Sequence, residues 1–466
     1  MAPSLQSITS ALPSLGKARL QINSADDVVI VAAVRTPLTR VSQQHATDRR
    51  APRLTLQRPA RVVSRTCFRR TSSRPSSSRS SSAARSTPLR LGKLQSQIAR
   101  SRDSQVPTHV ELAENRSATH IDTQKLTRPA RSLSVTFSPP AVVPPPAAWP
   151  SSPLASPTRE CVLRIARAKP RSTPFHTLNR QCSSGLQAVV SIANSIKAGD
   201  IDIGIGAGVE SMTQNWASAG MPSALSDDVM SNPSAANCLI PMGITSENVA
   251  AKYKISRDEQ DDFAAASYAK AVAAQKAGKF KEEIVPVKAK FVDPKTDEEK
   301  EIIVDSDDGI RPTTREQHGK LKPAFKKDGS THAGNASQVS DGAAAVLLAR
   351  RSVAQKLGLP ILGKYVSSAA VGVPPEIMGV GPAFAIPVAL QRAGISKDDV
   401  DFYEINEAFA SQAIYSVKEL GIPFEKVNIN GGAIAFGHPL GATGARQIAT
   451  ALSISKQTGG KIFVTS

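Results

Sequence analysis

Apolar positions fall into three regimes along the 466-residue chain. Near the start, Val28-Val29-Ile30-Val31-Ala32-Ala33-Val34 is an unbroken apolar run of strand length. Arg35-Thr36-Pro37 closes it, and such a run suits a strand covered on both faces. From 41 to about 171 the pattern stops. Stretches such as Ser72-Ser73-Arg74-Pro75-Ser76-Ser77-Ser78-Arg79 show neither a 3.6 nor a 2.0 period. Such a segment cannot bury enough apolar surface to offset its ordering entropy, so it reads as disordered and foreign to the surrounding fold. From Ser172 periodicity returns. It predicts helices over 186–196 and 258–277 and strands over 202–208 and 281–287. The last third alternates: strands over 343–349, 361–371, 400–405 and 462–465, and helices over 352–357, 382–393, 409–420 and 441–455. Alternation of this kind implies a layered α/β lobe.

Charge changes the picture in one place. The net charge of +19 would ordinarily raise nucleic acid as a partner. Residues 41–171, however, hold 24 Lys and Arg against 6 Asp and Glu, which is 18 of the 19 net positive charges. The periodic body is almost neutral, and no nucleic-acid role is expected of it. A basic tail that binds nucleic acid or an anionic surface is the alternative reading of 41–171. The four cysteines include no CxxC pair, so neither a disulfide framework nor a zinc site is expected, and Cys67, Cys161 and Cys238 read as incidental. No apolar run approaches the roughly 18 residues needed to span a bilayer.

Three stretches carry candidate chemistry. In Asn179-Arg180-Gln181-Cys182-Ser183-Ser184-Gly185-Leu186-Gln187-Ala188 a cysteine sits at the mouth of an apolar helix that Lys197-Ala198-Gly199 ends. Ser183 and Ser184 are good N-cap residues. The helix macrodipole there favours a thiolate, so a lowered thiol pKa is expected. A buried structural cysteine is the ordinary alternative for a lone Cys. In the glycine-dense stretch 430–446, His438 is the one side chain able to move a proton near neutral pH. A third stretch, Tyr403-Glu404-Ile405-Asn406-Glu407-Ala408-Phe409-Ala410, puts an amide at a strand end. Cys, His and Asn on three strand-end loops have the composition of an activated-thiol site.

With these segments the chain resembles the thiolases, specifically fungal-type 3-ketoacyl-CoA thiolases (acetyl-CoA C-acyltransferases). NRQCSSGLQA, GAGVESMT, MGITSENVA, KLKPAF, GNASQVSDGAAA, NEAFASQ and GGAIAFGHPLGATGAR stand in the family's order. The likeness covers 28–40 and then roughly 172–466. It implies an α/β fold of duplicated, layered thiolase-like lobes, each with a five-stranded sheet, plus a loop domain that covers the site and holds coenzyme A. The expected division is a leader or targeting segment at 1–27, an N-terminal lobe from 28–40 plus 172–212, the foreign segment 41–171, a loop domain at 213–324 and a C-terminal lobe at 325–466.

The resemblance also implies a reaction, the thiolytic cleavage of 3-ketoacyl-CoA in fatty acid β-oxidation. Cys182 matches the nucleophile, His438 its base, and Asn406 the residue that holds a water at the thioester oxygen. Ser337, Met242, Arg311 and Phe409 match substrate-binding positions, with Lys320, Lys322, Lys326 and Lys327 as further candidates for coenzyme A phosphates. A solvated charged face is the commoner reading of those lysines. Coenzyme A is a co-substrate, no other cofactor or metal is implied, and a homodimer is. The family carries a second catalytic cysteine just after its final strand, whereas this chain ends at Val464-Thr465-Ser466, so impaired turnover is expected of it as written. Residues 4–12 have the spacing of a peroxisomal import signal, with Ser4 and Ala11 where that signal carries Arg and His. A mitochondrial leader is the alternative compartment reading. A biosynthetic acetoacetyl-CoA thiolase and a non-catalytic acyl-CoA or lipid binder are the alternative functions.

Overall fold

The computed structural model describes residues 16–40, 55–56, 131–137, 174–215, 226–292, 296 and 298–466. Its strands are β1 (Val28–Arg35), β2 (Thr39–Arg40), β3 (Thr55–Leu56), β4 (Arg131–Phe137), β5 (Phe175–Leu178), β6 (Ile203–Ser211), β7 (Val287–Val292), β8 (Glu299–Val304), β9 (Ser340–Arg350), β10 (Gly363–Lys364), β11 (Phe402–Glu404) and β12 (Phe463–Thr465). One sheet runs β10-β1-β9-β6-β4-β5, with β2 paired to β9, and its ladders are antiparallel. A second sheet is the parallel pair β11-β12, and a third runs β3-β7-β8.

The apolar run 28–34 shows how the layers arise. Side chains alternate across a strand, so Val28 and Ile30 enter one core cluster while Val29 and Val31 enter another. The first cluster is filled by α1 (Ser184–Ala198), through Val189, Ile192 and Ile196, and by the long helix near the C-terminal end, through Ala445, Ile448 and Leu452. The second is closed by Ala354 and Leu359. On the far side of the inner helices, Phe402 of β11 packs with Ala451 and Ile454, while Tyr403 turns to the opposite face to meet Ile386, Leu390 and Val417. Helix, sheet, helix, sheet and helix therefore stack in that order. The remaining helices used below are α2 (Met242–Lys252), α3 (Arg257–Lys276), α4 (Ala410–Leu420), α5 (Ala433–Phe436) and α6 (Thr443–Thr458), the last being the partner of α1.

Four expectations need correction. The second sheet has two strands among the described residues rather than five, and the first has seven. The strand expected over 281–287 begins only at Val287, because Glu283 turns inward to receive Arg35 Nε at 2.6 Å and Pro286 has no N–H for a ladder. Of 361–371 only Gly363–Lys364 pairs, and no described strand lies alongside the rest. Within 41–171, Thr55–Leu56 and Arg131–Phe137 are strands, and β4 sits between β5 and β6. The sequence Arg131-Ser132-Leu133-Ser134-Val135-Thr136-Phe137 alternates apolar and hydroxyl residues, a local period of two that the surrounding Ser and Arg runs hide. Residues 4–12, Cys67 and Cys161 lie outside the described residues.

Glycines let the two inner helices meet. A Cβ on Gly208 of β6 would lie 2.1 Å from the Gly441 carbonyl oxygen, and one on Gly444 would lie 2.4 Å from Leu186 N. Both obstacles are backbone, which cannot rotate away. Gly208→Ala is therefore expected to cost about 1–3 kcal/mol in urea unfolding by overpacking, and an unchanged midpoint would show that the backbones are not held this close.

Candidate active site

Cys182 lies two residues before α1, whose N-cap by position is Ser183. The cap works differently from the expectation, since Ser183 makes no side-chain capping bond. Ser184 instead braces the turn, its Oγ accepting from Arg180 N at 2.8 Å and donating to Gln181 O at 2.7 Å. Gln181, immediately before the cysteine, has φ +50°, a left-handed conformation uncommon for a non-glycine residue. Strain of this kind persists where the surroundings over-determine it, and here it aims the residue that follows.

His438 is buried in a closed set of hydrogen bonds. Its N–H donates to Gln338 O at 3.0 Å and Ser340 Oγ at 3.2 Å. Ring Nδ1 lies 2.7 Å from Thr443 Oγ1, and that hydroxyl donates to Pro439 O at 3.2 Å. The threonine proton being so used, Nδ1 carries the imidazole proton and Nε2 keeps its lone pair. Asn406 Nδ2 lies 3.4 Å from Nε2. Asn406 is held by its own backbone, through N–H to Ser466 O at 2.8 Å and through its carbonyl to Gln412 Nε2 at 2.9 Å. Its buried Oδ1 has no protein partner, which leaves an acceptor at the site for a water or ligand donor.

The structure brings the cysteine and histidine loops together through backbone and one carboxylate. A Cβ on Gly185 would lie 2.8 Å from Gly441 O, so the first turn of α1 rests on the segment that follows His438. Glu210 of β6 accepts from Gly441 N at 3.2 Å, and its charge also acts on Cys182. Glu210 stands in the GAGVESMT segment, yet the sequence reading gave it no role. Thr443, Gln338 and Glu407 were likewise passed over. The Glu407 carboxylate accepts from Asn428 Nδ2 at 2.7 Å, Ser267 Oγ at 2.7 Å and Ile434 N at 3.2 Å, which ties the Asn406 turn to α3 and to the loop leading to His438.

The thiol behaves opposite to expectation. Burial pushes Cys182 up to about 11 and the Glu210 carboxylate adds to the rise, while the contact with its own backbone N–H offsets only part. The dipole argument loses because burial outweighs what the backbone N–H offers the thiolate, even though α1 starts at Ser184, nearer the sulfur than expected. Burial, and after it the Arg446 guanidinium, push the His438 imidazole down to about 3. The thiol and the imidazole, on loops joined by that backbone contact, are thus both neutral at rest, and the free imidazole nitrogen faces Asn406.

Of the substrate-binding candidates, three share one edge. Ser337 N donates to Ala408 O at 2.9 Å, and Ala336 bridges Phe409. The Phe409 ring meets Phe325 edge-on at 6.3 Å, and Phe325 in turn covers Gly243, the neighbour of Met242. Arg311 is exposed and outside this set, its guanidinium 5.1 Å above the Tyr268 ring. Lys320, Lys322, Lys326 and Lys327 are exposed too, Lys326 donating to Asn248 Oδ1 at 3.4 Å. A cavity of about 920 Å³ is lined by Arg180 and Ser183 beside the cysteine, but not by Cys182 or His438 themselves. Cys238 is exposed, and no cluster able to hold a metal ion occurs among the described residues.

This arrangement of a cysteine before one central helix and a histidine before its partner defines the chain as a member of the thiolase family. Residues 155–352 match the thiolase N-terminal domain and 359–466 the thiolase C-terminal domain. The peroxisomal 3-ketoacyl-CoA thiolase of Yarrowia lipolytica is 61% identical over 298 residues, which cover 64% of this chain and 72% of that protein. The peroxisomal 3-ketoacyl-CoA thiolase 2 of Arabidopsis thaliana is 60% identical over 62% of this chain and 63% of its own length, so this chain spans less than two thirds of that relative. Among solved structures, the dimeric peroxisomal thiolase of Saccharomyces cerevisiae superposes with a TM-score of 0.64 at 39% identity, covering 94% of this chain and 93% of that one.

The electrostatics carry a test. Glu210→Gln keeps an acceptor for Gly441 N but removes the negative charge that opposes the thiolate. The thiol pKa should fall, and alkylation of Cys182 by iodoacetamide at pH 8 should quicken by about two- to tenfold. A slower or unchanged rate would show that Glu210 does not act on the sulfur.

Proposed function

We propose that the chain is a degradative 3-ketoacyl-CoA thiolase, an acetyl-CoA C-acyltransferase of fatty acid β-oxidation that works through an acyl-Cys182 intermediate. The observation that carries this reading is the His438 network, because it leaves Nε2 unprotonated at the loop that abuts the cysteine turn. Coenzyme A enters as a co-substrate, and the reading needs no metal or other cofactor.

Each step follows from the charge states. The Cys182 proton passes to His438 Nε2 as the sulfur attacks the 3-keto carbon, which suits a thiol too basic to ionise alone. The C2–C3 bond then breaks, its electron pair moving into the thioester enolate, which takes the proton held by His438 and leaves as acetyl-CoA. Asn406, with its unpartnered Oδ1, positions the water that binds the thioester oxygen as charge develops there. The acyl group stays on Cys182 until the thiol of a second coenzyme A displaces it, with His438, neutral again, accepting that proton and returning it to the departing Cys182 sulfur. Ser337, Met242 and Phe409 line the approach, and the exposed Arg311 meets the phosphates. The described residues supply the acylating nucleophile, its base and the amide, while the second acid/base cysteine implied by the resemblance has no counterpart among them.

The peroxisomal relatives favour the peroxisome as compartment, with the mitochondrion as the alternative, since human mitochondrial 3-ketoacyl-CoA thiolase also superposes, with a TM-score of 0.57 at 37% identity. The dimeric yeast structure favours a homodimer. Among the described residues no helix is long and apolar enough to cross a membrane.

Acylation can be read without full turnover. Mixing the chain with a 3-ketoacyl-CoA should add one acyl group to Cys182 by intact and peptide mass spectrometry. Cys182→Ala should abolish the adduct, and His438→Gln should slow its formation by about 10²-fold or more. Binding of acyl-CoA with no adduct would instead favour the non-catalytic binder.

A further inference from the structure

His438 follows a helix too short to satisfy its own backbone. α5 has four residues, and Gly437 breaks it with φ +116°, so its later carbonyls find no N–H one turn on. Its amide side is held by Glu407, which accepts from Ile434 N at 3.2 Å. Its carbonyl side is held by one residue, Gln338, two positions before β9. The Gln338 backbone N–H lies 3.4 Å from Ala433 O, and the side-chain Nε2 donates to Ile434 O at 3.2 Å and to Ala435 O at 2.5 Å. The Gln338 carbonyl accepts the His438 N–H at 3.0 Å, steadied by Ser340 Oγ, which donates to it at 2.9 Å. Ile434 and Ala435 are fully buried, so without that amide their carbonyls would stand in a dry interior with no donor.

The same nitrogen reaches outward. Nε2 also lies 3.1 Å from Gly309 O and 3.3 Å from Tyr268 Oη on α3. Carbonyl oxygens only accept, and three of them surround this end of the side chain, so the amide nitrogen must face them. Arg311 Nη1 donates to the same Gly309 carbonyl at 3.1 Å, and its guanidinium covers the Tyr268 ring. On the other flank Ser337 N donates to Ala408 O, so adjacent residues fasten the turn after Asn406 and the turn of His438. We propose that Gln338 is a positioning residue of the thiolase reaction: it grips α5 and the His438 N–H together, fixing where the imidazole stands, and through Gly309 it ties that position to the loop bearing Arg311.

The inference rests on the thiolase reading for its chemistry, while one arm of its test needs no reaction. Gln338→Met keeps the length of the side chain and removes the amide donor. In the full chain, hydrogen exchange read by mass spectrometry should quicken by about tenfold or more over 433–438, with α1 peptides unchanged. At saturating 3-ketoacyl-CoA, acylation of Cys182 should slow by about ten- to a hundredfold, with the half-saturating concentration within about twofold. In a His438→Gln background the methionine should slow acylation no further, since a residue that acts through the imidazole then has nothing to place. Gln338→Asn, which keeps the amide but withdraws it by one methylene, is the milder second variant and should move both readouts the same way. Circular dichroism checks each fold. Unchanged exchange over 433–438 overturns the proposal. So does a loss of rate that persists in full without His438, or a raised half-saturating concentration at an intact maximal rate, which would make Gln338 a binding residue. If the unaltered chain takes up no acyl group, the enzymatic reading fails by itself, and the exchange measurement still decides whether Gln338 holds the His438 segment.

Discussion

Everything at the site depends on two backbones that touch. The first turn of α1 and the segment from Gly441 to Ala445 lie within contact distance of each other's main chain, with glycine at 185, 208 and 444 where any Cβ would intrude. One consequence is geometric. The cysteine precedes one helix and the histidine precedes the other, so close helices mean neighbouring loops. A second is electrostatic, because backbone packed on backbone excludes the water that would otherwise stabilise a thiolate or an imidazolium.

That exclusion sets the chemistry. A thiol pushed up to about 11 and an imidazole pushed down to about 3 do not form a resting ion pair. In the proposed reaction, charge appears only when a substrate carbonyl receives the electrons. With the ring neutral, the proposed proton transfer depends on which nitrogen is bare, and the Pro439 carbonyl decides that by engaging the Thr443 hydroxyl.

Much of this was legible in the residues. The 28–34 run announced a doubly covered strand because both faces are apolar, and the glycine-dense frame of His438 announced close approach. The motifs gave the family and named Cys182, His438 and Asn406 as candidates for the site. Less legible were features set by distant partners. Glu283 leaves its expected strand because Arg35 waits in the interior, hundreds of positions earlier in the chain. The alternation in Arg131–Phe137 was hidden by the composition around it. The sign of the cysteine shift was missed because burial, which spacing does not show, outweighs the backbone N–H, and because the Glu210 charge arrives from β6. Arg446 looked like the tail of a motif, since nothing in its spacing says that it is buried.

The buried charges form one connected system, and this bears on how the beginning of the chain belongs to the rest. Arg35, at the end of β1, holds Asp307 with two hydrogen bonds and Glu283 with a third. The Glu283 oxygen that receives Arg35 also accepts from Thr450, one turn beyond Arg446 on α6. Arg446 in turn reaches Glu404, two residues before Asn406. A break anywhere in this series leaves a charge buried without its partner, which typically costs about 3–5 kcal/mol. The short stretch at 28–40 is therefore no appendage, although a long and compositionally different segment separates it from the next motif. It supplies β1, which pairs with β9 and β10 in the large sheet, and the cation that holds Glu283 and Asp307, so the folded core requires it.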